Sequence, residues 1–166
     1  MKKVFFMLAI LMVSAGAQAQ VFDFGQIRFG AGLSYDLNAS RLGLGVNGVY
    51  NISPESEVGV AYTHFGTKDY LTTSMIDFDY RYVVASVSSE MSFYLLGGLM
   101  FYSYKYEYPK DSSMSDFSSS DTDAGLNFGA GANYRISDKF NINPQICYSF
   151  FDGGFLRIGV GVQYIL

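Results

Sequence analysis

The chain closes on "LRIGVGVQYIL", in which Leu156, Ile158, Val160, Val162, Tyr164 and Leu166 alternate with Arg157, Gly159, Gly161, Gln163 and Ile165. A period of two belongs to a β-strand whose two faces meet unlike surroundings. Seven more segments carry the same signal, and the eight cover 27–36, 41–52, 57–66, 76–88, 91–107, 123–136, 139–151 and 155–166. The cleanest are "IRFGAGLSYD", with Ile27, Phe29, Ala31, Leu33 and Tyr35 on one parity, and "AGLNFGAGANYRI".

Alternation alone fits a soluble sandwich or a lipocalin equally well. The other face decides. A solvated exterior would be rich in Lys, Glu and Thr, whereas here it is mostly Gly, Asn, Ser and Gln. The charges in or bounding the segments are Arg28, Asp36, Arg41, Glu57, Asp77, Asp79, Arg81, Lys105, Glu107, Asp123, Arg135 and Arg157. Taking the more apolar parity of each segment as outward, all twelve fall on the inward face. A lipid-facing Lys or Arg at mid-bilayer costs ~2–4 kcal/mol, so a bilayer explains an avoidance that water does not. Ten glycines share the inward parity (30, 32, 43, 45, 59, 125, 129, 131, 159 and 161), as a narrow, curved barrel requires. The expected fold is therefore all-β: an eight-stranded antiparallel up-and-down transmembrane β-barrel.

The N-terminus, "MKKVFFMLAILMVSAGAQAQ", reads as a signal peptide over 1–19. Lys2 and Lys3 precede an apolar run from Val4 to Val13, and Ala17-Gln18-Ala19 supplies the cleavage pattern. That run is well short of the ~20 residues of a spanning helix. The barrel domain is then 20–166. Loss of Lys2 and Lys3 leaves 9 basic against 15 acidic side chains, a net charge of −6 that argues against nucleic acid. The lone Cys147 excludes an intrachain disulfide framework.

Connections set the orientation. "YNISPESEV" and "YRISDKFNI" share Tyr-x-Ile-Ser before a tight turn, and with "VSSEMS" they lie at one rim. "LNAS", "TKDYLTTS", "YPKDSSMSDFSSSDT" and "DGG" form the loops of the other. Short turns face the periplasm in such barrels and longer loops face outside. Outward Tyr50, Tyr134, Phe140 and Tyr164 are expected in the periplasmic girdle, and Tyr35, Phe78, Tyr104 and Phe150 in the outer one. Pro144 lacks a ladder donor, and a β-bulge is the expected repair.

In this pattern, turn style and ending the whole mature chain resembles the eight-stranded outer-membrane barrels of the OmpA/OmpX-like outer membrane protein β-barrel domain family. The resemblance implies integral residence in the bacterial outer membrane, contact with its lipids, and reading of the last strand by the barrel-assembly machinery. Gly161, Tyr164 and Leu166 match that assembly signal, with Leu in place of the usual final Phe.

No residue set announces chemistry. His64, the one histidine, is flanked by Thr63 and Phe65, with no H-x-S pair in its strand. It is expected at the rim rather than as the base of a lipid A-modifying enzyme. Cys147 is expected to be a buried inert thiol. Asp111, Asp116, Asp121 and Asp123 match no calcium-loop spacing. No cofactor or metal is expected. Arg28, Asp77, Asp79, Arg81, Arg135 and Arg157 are expected to form a polar network in a lumen that side chains fill. The reading is a monomeric structural or surface-interaction protein, the extracellular ligand unknown. The alternatives are a narrow channel or accessory component of transport, a lipid A-modifying enzyme, and a soluble exported lipid carrier.

Overall fold

The structure, a computed structural model, describes residues 21–107, 118–151 and 153–166. Eight strands follow one another: β1 (Ile27–Asp36), β2 (Arg41–Ser53), β3 (Ser56–Lys68), β4 (Leu71–Ser86), β5 (Met91–Glu107), β6 (Ser118–Ser137), β7 (Phe140–Phe150) and β8 (Phe155–Ile165). Each pairs antiparallel with its neighbours, and β1 pairs with β8 to close the barrel. The Leu166 N–H donates to Ile27 O at 3.0 Å, so even the last residue takes part in closure. Closure leaves no edge inside the bilayer, where an unpaired peptide group would find no water.

The ladder row starting at Ile165 runs through Arg28, Val49, Gly59, Asp79, Gly98, Asn127 and Ser149 and returns to β8 at Phe155. One circuit thus climbs ten residues, from 165 to 155, which for eight strands corresponds to a tilt of about 40°. Glycine permits the tight closure: a Cβ on Gly98 would meet Phe78 O, and would lie 2.8 Å from Asp79 Cα.

The two faces are inverted relative to a soluble protein. Leu44 (67% exposed), Val46, Val60, Leu95, Phe128, Val160 and Val162 face out, whereas Arg28, Glu57, Asn127, Asn133, Asn141 and Gln163 are fully buried. A polar interior wrapped in apolar side chains is stable only where the surroundings are hydrocarbon.

Three expectations require correction. Residues 71–75 and 118–122 were expected in loops but extend β4 and β6. Their hydroxyl-rich sequence lacks apolar alternation because the strands there are held by ladder pairing and by pairs such as Ser103–Thr122 (2.9 Å) and Thr67–Thr72 (2.7 Å). The connection at 69–70 is a two-residue hairpin, with Asp69 and Tyr70 at φ of +53° and +65° as a type I′ turn demands.

In β5 the odd residues face out. Phe101 is exposed and stacks edge-on to Phe78 at 6.2 Å, Tyr102 and Tyr104 turn to the mouth side, and Lys105 shares the outward parity. The parity of "SFYLLGGLMFYSYKYEY" was ambiguous because both sets are apolar up to Phe101; pairing with β4 and β6 settles it.

At Pro144 there is no bulge. The register is unchanged between Gly131↔Gln145 and Tyr134↔Ile142, and Asn143 Nδ2 donates to Ala132 O at 2.8 Å, beside the missing donor. Asn143→Ala is expected to cost ~1–3 kcal/mol by leaving buried polar groups unpaired, measured by urea unfolding in vesicles. A cost within error would show that this carbonyl finds another donor.

Candidate functional site

The lumen is layered. At the rim of turns 54–55, 87–90 and 138–139, Arg28 pairs with Glu57 at 2.7 Å, both side chains being essentially inaccessible. Arg28 also donates to Asn133 Oδ1 (3.0 Å) and Asn51 Oδ1 (3.2 Å), while Asn51 and Asn133 each donate to Glu57 Oε1. Asn141 donates to Gln163 Oε1 at 2.9 Å and closes the layer. Below it Phe22 lies under the Arg28 guanidinium, 3.9 Å from ring centroid to Cζ, and packs with Val21 and Ile165.

In the middle, Arg81 donates to Asn143 and Gln145 and sits 5.0 Å from the Tyr94 ring. Higher up, Arg157 makes a bidentate pair with Asp77 at 2.7 and 2.8 Å. Asn127 donates to Asp77 and to Asp79, Ser149 donates to Asn127, and Cys147 is buried against Arg157. Phe65, Met75, Met100 and Phe155, joined by Tyr102 and Phe151, cover this layer from the loop side. The polar cavity between the layers measures about 50 Å³, room for roughly three or four waters.

The structure therefore brings Asp77, Asp79 and Arg157 together, holds Arg28 and Arg81 in separate layers, and leaves Arg135 out. Arg135 lies at the turn rim, donating to Val21 O and 3.9 Å from Asp138. It was expected in the lumen because it shares inward parity, but its position near the strand end lifts it out of the barrel. Glu57, Asn51 and Gln163, absent from the expected network, are central to it; parity was the available signal. Gly161 faces inward opposite Gly32, while Tyr164 faces out and stacks on Phe140 at 5.5 Å.

His64 faces outward on β3, its Nδ1 2.9 Å from Ser74 Oγ across the ladder. Asp111 and Asp116 lie outside the described residues. Asp121 accepts from the Thr122 N–H at 2.8 Å and the Tyr104 hydroxyl at 3.5 Å. Among the described residues no three metal-ligating side chains cluster.

Above the barrel proper, β6 outruns its neighbour. β7 stops at Phe150, opposite Leu126, so Ser118–Gly125 has no partner on the β7 side among the described residues. On the other side it pairs fully with β5.

A family model described as "Outer membrane protein beta-barrel domain" matches residues 5–165. The chain belongs to that family. This outer-membrane barrel is an integral protein of the outer membrane. It is similar in fold to the N-terminal β-barrel domain of Pseudomonas aeruginosa OprF, at 16% identity and a TM-score of 0.71, covering 87% of this chain and 100% of that one. Ail, the attachment invasion locus protein of Yersinia pestis, shares 19% identity at a TM-score of 0.61, covering 86% and 99%. Neisserial surface protein A shares 14% at 0.64, covering 84% and 95%. No curated protein matches the sequence significantly. These identities carry the fold and no more.

Proposed function

We propose that this outer-membrane barrel acts at the cell surface, as a structural and surface-interaction protein, through the hairpin of β5 and β6. One observation carries the reading: the flank of Ser118–Gly125, roughly 25 Å of strand that has no ladder partner on the β7 side among the described residues. Such an edge is a template for an added strand. Asp121 and Asp123 on that stretch favour an extended peptide with basic side chains. The filled lumen supports the same conclusion, since layers of buried ion pairs and amides between Phe22 and Phe155 leave a polar cavity of only about 50 Å³.

The remaining expectations stand as parts of the proposal. The protein is a monomer without enzymatic activity, takes no cofactor, and has no affinity for nucleic acid. It contacts outer-membrane lipids, and Gly161, Tyr164 and Leu166 present the last strand to the barrel-assembly machinery. Residues 1–19 are removed on export.

Two measurements test it. In planar bilayers the protein should give no conductance steps. On proteoliposomes, peptides selected from a random library should be extended and Lys- or Arg-rich. Their binding should fall at least tenfold when residues 102–123 are replaced by Asn-Gly, which closes the hairpin on the Phe101–Ala124 pair, with the boiling-dependent gel shift of the barrel retained. Peptide binding that survives the replacement, or steady conductance, would return the reading to a transport component.

A further inference from the structure

His64 lies on the lipid-facing side, joined to Tyr62 through a shared hydroxyl, that of Ser74. Tyr62 donates its hydroxyl proton to Ser74 Oγ at 3.2 Å. Ser74 Oγ, having accepted from Tyr62, is placed to give its own hydroxyl proton to His64 Nδ1, 2.9 Å away. A neutral imidazole that accepts at Nδ1 carries its proton on Nε2. Among the described residues no acceptor reaches Nε2. In that arrangement the relay ends in an Nε2–H donor, and a donor left unpaired at the edge of hydrocarbon is costly.

Its depth identifies what it meets. His64 is six residues above Val58, which pairs with Tyr50 of the lower girdle. With the strand tilt this places it ~20 Å above Tyr50, at the top of an apolar band about 25 Å tall. Ser74 lies a step higher, paired along the ladder with Ser103, whose hydroxyl is 2.9 Å from that of Thr122. On β5, Lys105 shares that outward face two residues beyond Ser103, about 12 Å from His64 between backbones, within the span of one large headgroup.

We propose that Tyr62, Ser74 and His64 form a binding site for the phosphate of an outer-leaflet lipid headgroup, with Nε2–H donating to a phosphate oxygen. Its phosphate anchor lies on β3 and β4, outside the hairpin edge, and stands or falls independently of that edge. The phosphate anchors the lipid, and the hydroxyl row toward Thr122 receives the rest of its headgroup.

The single histidine makes the test direct. The full mature chain, labelled with ¹⁵N only at histidine, is folded in maltoside micelles, and NMR reads one imidazole. Four samples are compared: no addition, lipid A, dephosphorylated lipid A, and inorganic phosphate. The Nε2–H tautomer is expected in all four, with a ³¹P contact from Nε2–H only with phosphorylated lipid A. Ser74→Ala should release the tautomer into a mixture. Ser74→Ala and His64→Gln should each lower the lipid A retained in native mass spectrometry about fivefold while the boiling-dependent gel shift persists. The proposal is overturned if no phosphorus contact appears, or if inorganic phosphate alone gives the same contact. It is equally overturned if lipid A loses acyl chains on incubation, which would make the pair hydrolytic, or if both variants retain lipid A like the parent.

Discussion

Glu57→Ala is expected to destabilise the barrel by about 3–5 kcal/mol, because it strands the Arg28 guanidinium in a layer with no other carboxylate in contact among the described residues. Arg28 and Glu57 are both at 0% exposure, so water cannot replace the lost partner cheaply. Asn51 and Asn133 lose an acceptor in the same step. Glu57→Gln keeps an amide oxygen for these donors and should cost less. Removing both charges as Arg28→Leu with Glu57→Leu should recover part of the loss, since desolvation of the pair is then avoided. Urea unfolding in lipid vesicles measures all three. If Glu57→Ala costs less than ~1 kcal/mol, the lumen is hydrated well enough to screen a lone guanidinium, as in a surface pair. That result would also undermine the filled-lumen reading and revive conduction.

Val46→Arg tests the exterior. Val46 is 59% exposed, pairs with Ala31 and Tyr62, and lies near the middle of the apolar band. An arginine there is expected to cost ~2–4 kcal/mol in a bilayer, the penalty of a cation at mid-depth. Thr72→Arg, on the same outward face beside Lys105 and above the band, should change stability by less than ~1 kcal/mol. Equal small effects at both positions would mean that the Val46 face meets water, contrary to an inside-out barrel.

The architecture was legible because strand facing is a local property. In β1 and β8 every second residue reports the same environment, and the sign of each face survives without knowledge of its neighbours. Where that local contrast vanished, reading failed. In β5 both parities are apolar, so Tyr104 and Lys105 were assigned to the wrong sides. At 71–75 and 118–122, Ser and Thr read as loop although the backbone ladder continues. Parity likewise drew Arg135 into the lumen, because alternation reports a face and not a height.

The partners of the polar groups were not legible at all. Arg28 reaches Glu57, Asn133 and Gln163 on three other strands, and Arg157 reaches Asp77 across the barrel, contacts set by the ten-residue climb per circuit. His64 has no serine beside it in sequence, yet β3–β4 register sets Ser74 against it. The outline of the wall, its lipid-facing chemistry and its membrane thus follow from one-dimensional alternation, which registers only what each side chain faces. Which interior charges pair, how the lumen is filled, which strand outruns its neighbour and what the lone histidine meets depend on shear and strand length, and these exist only once the sheet has closed.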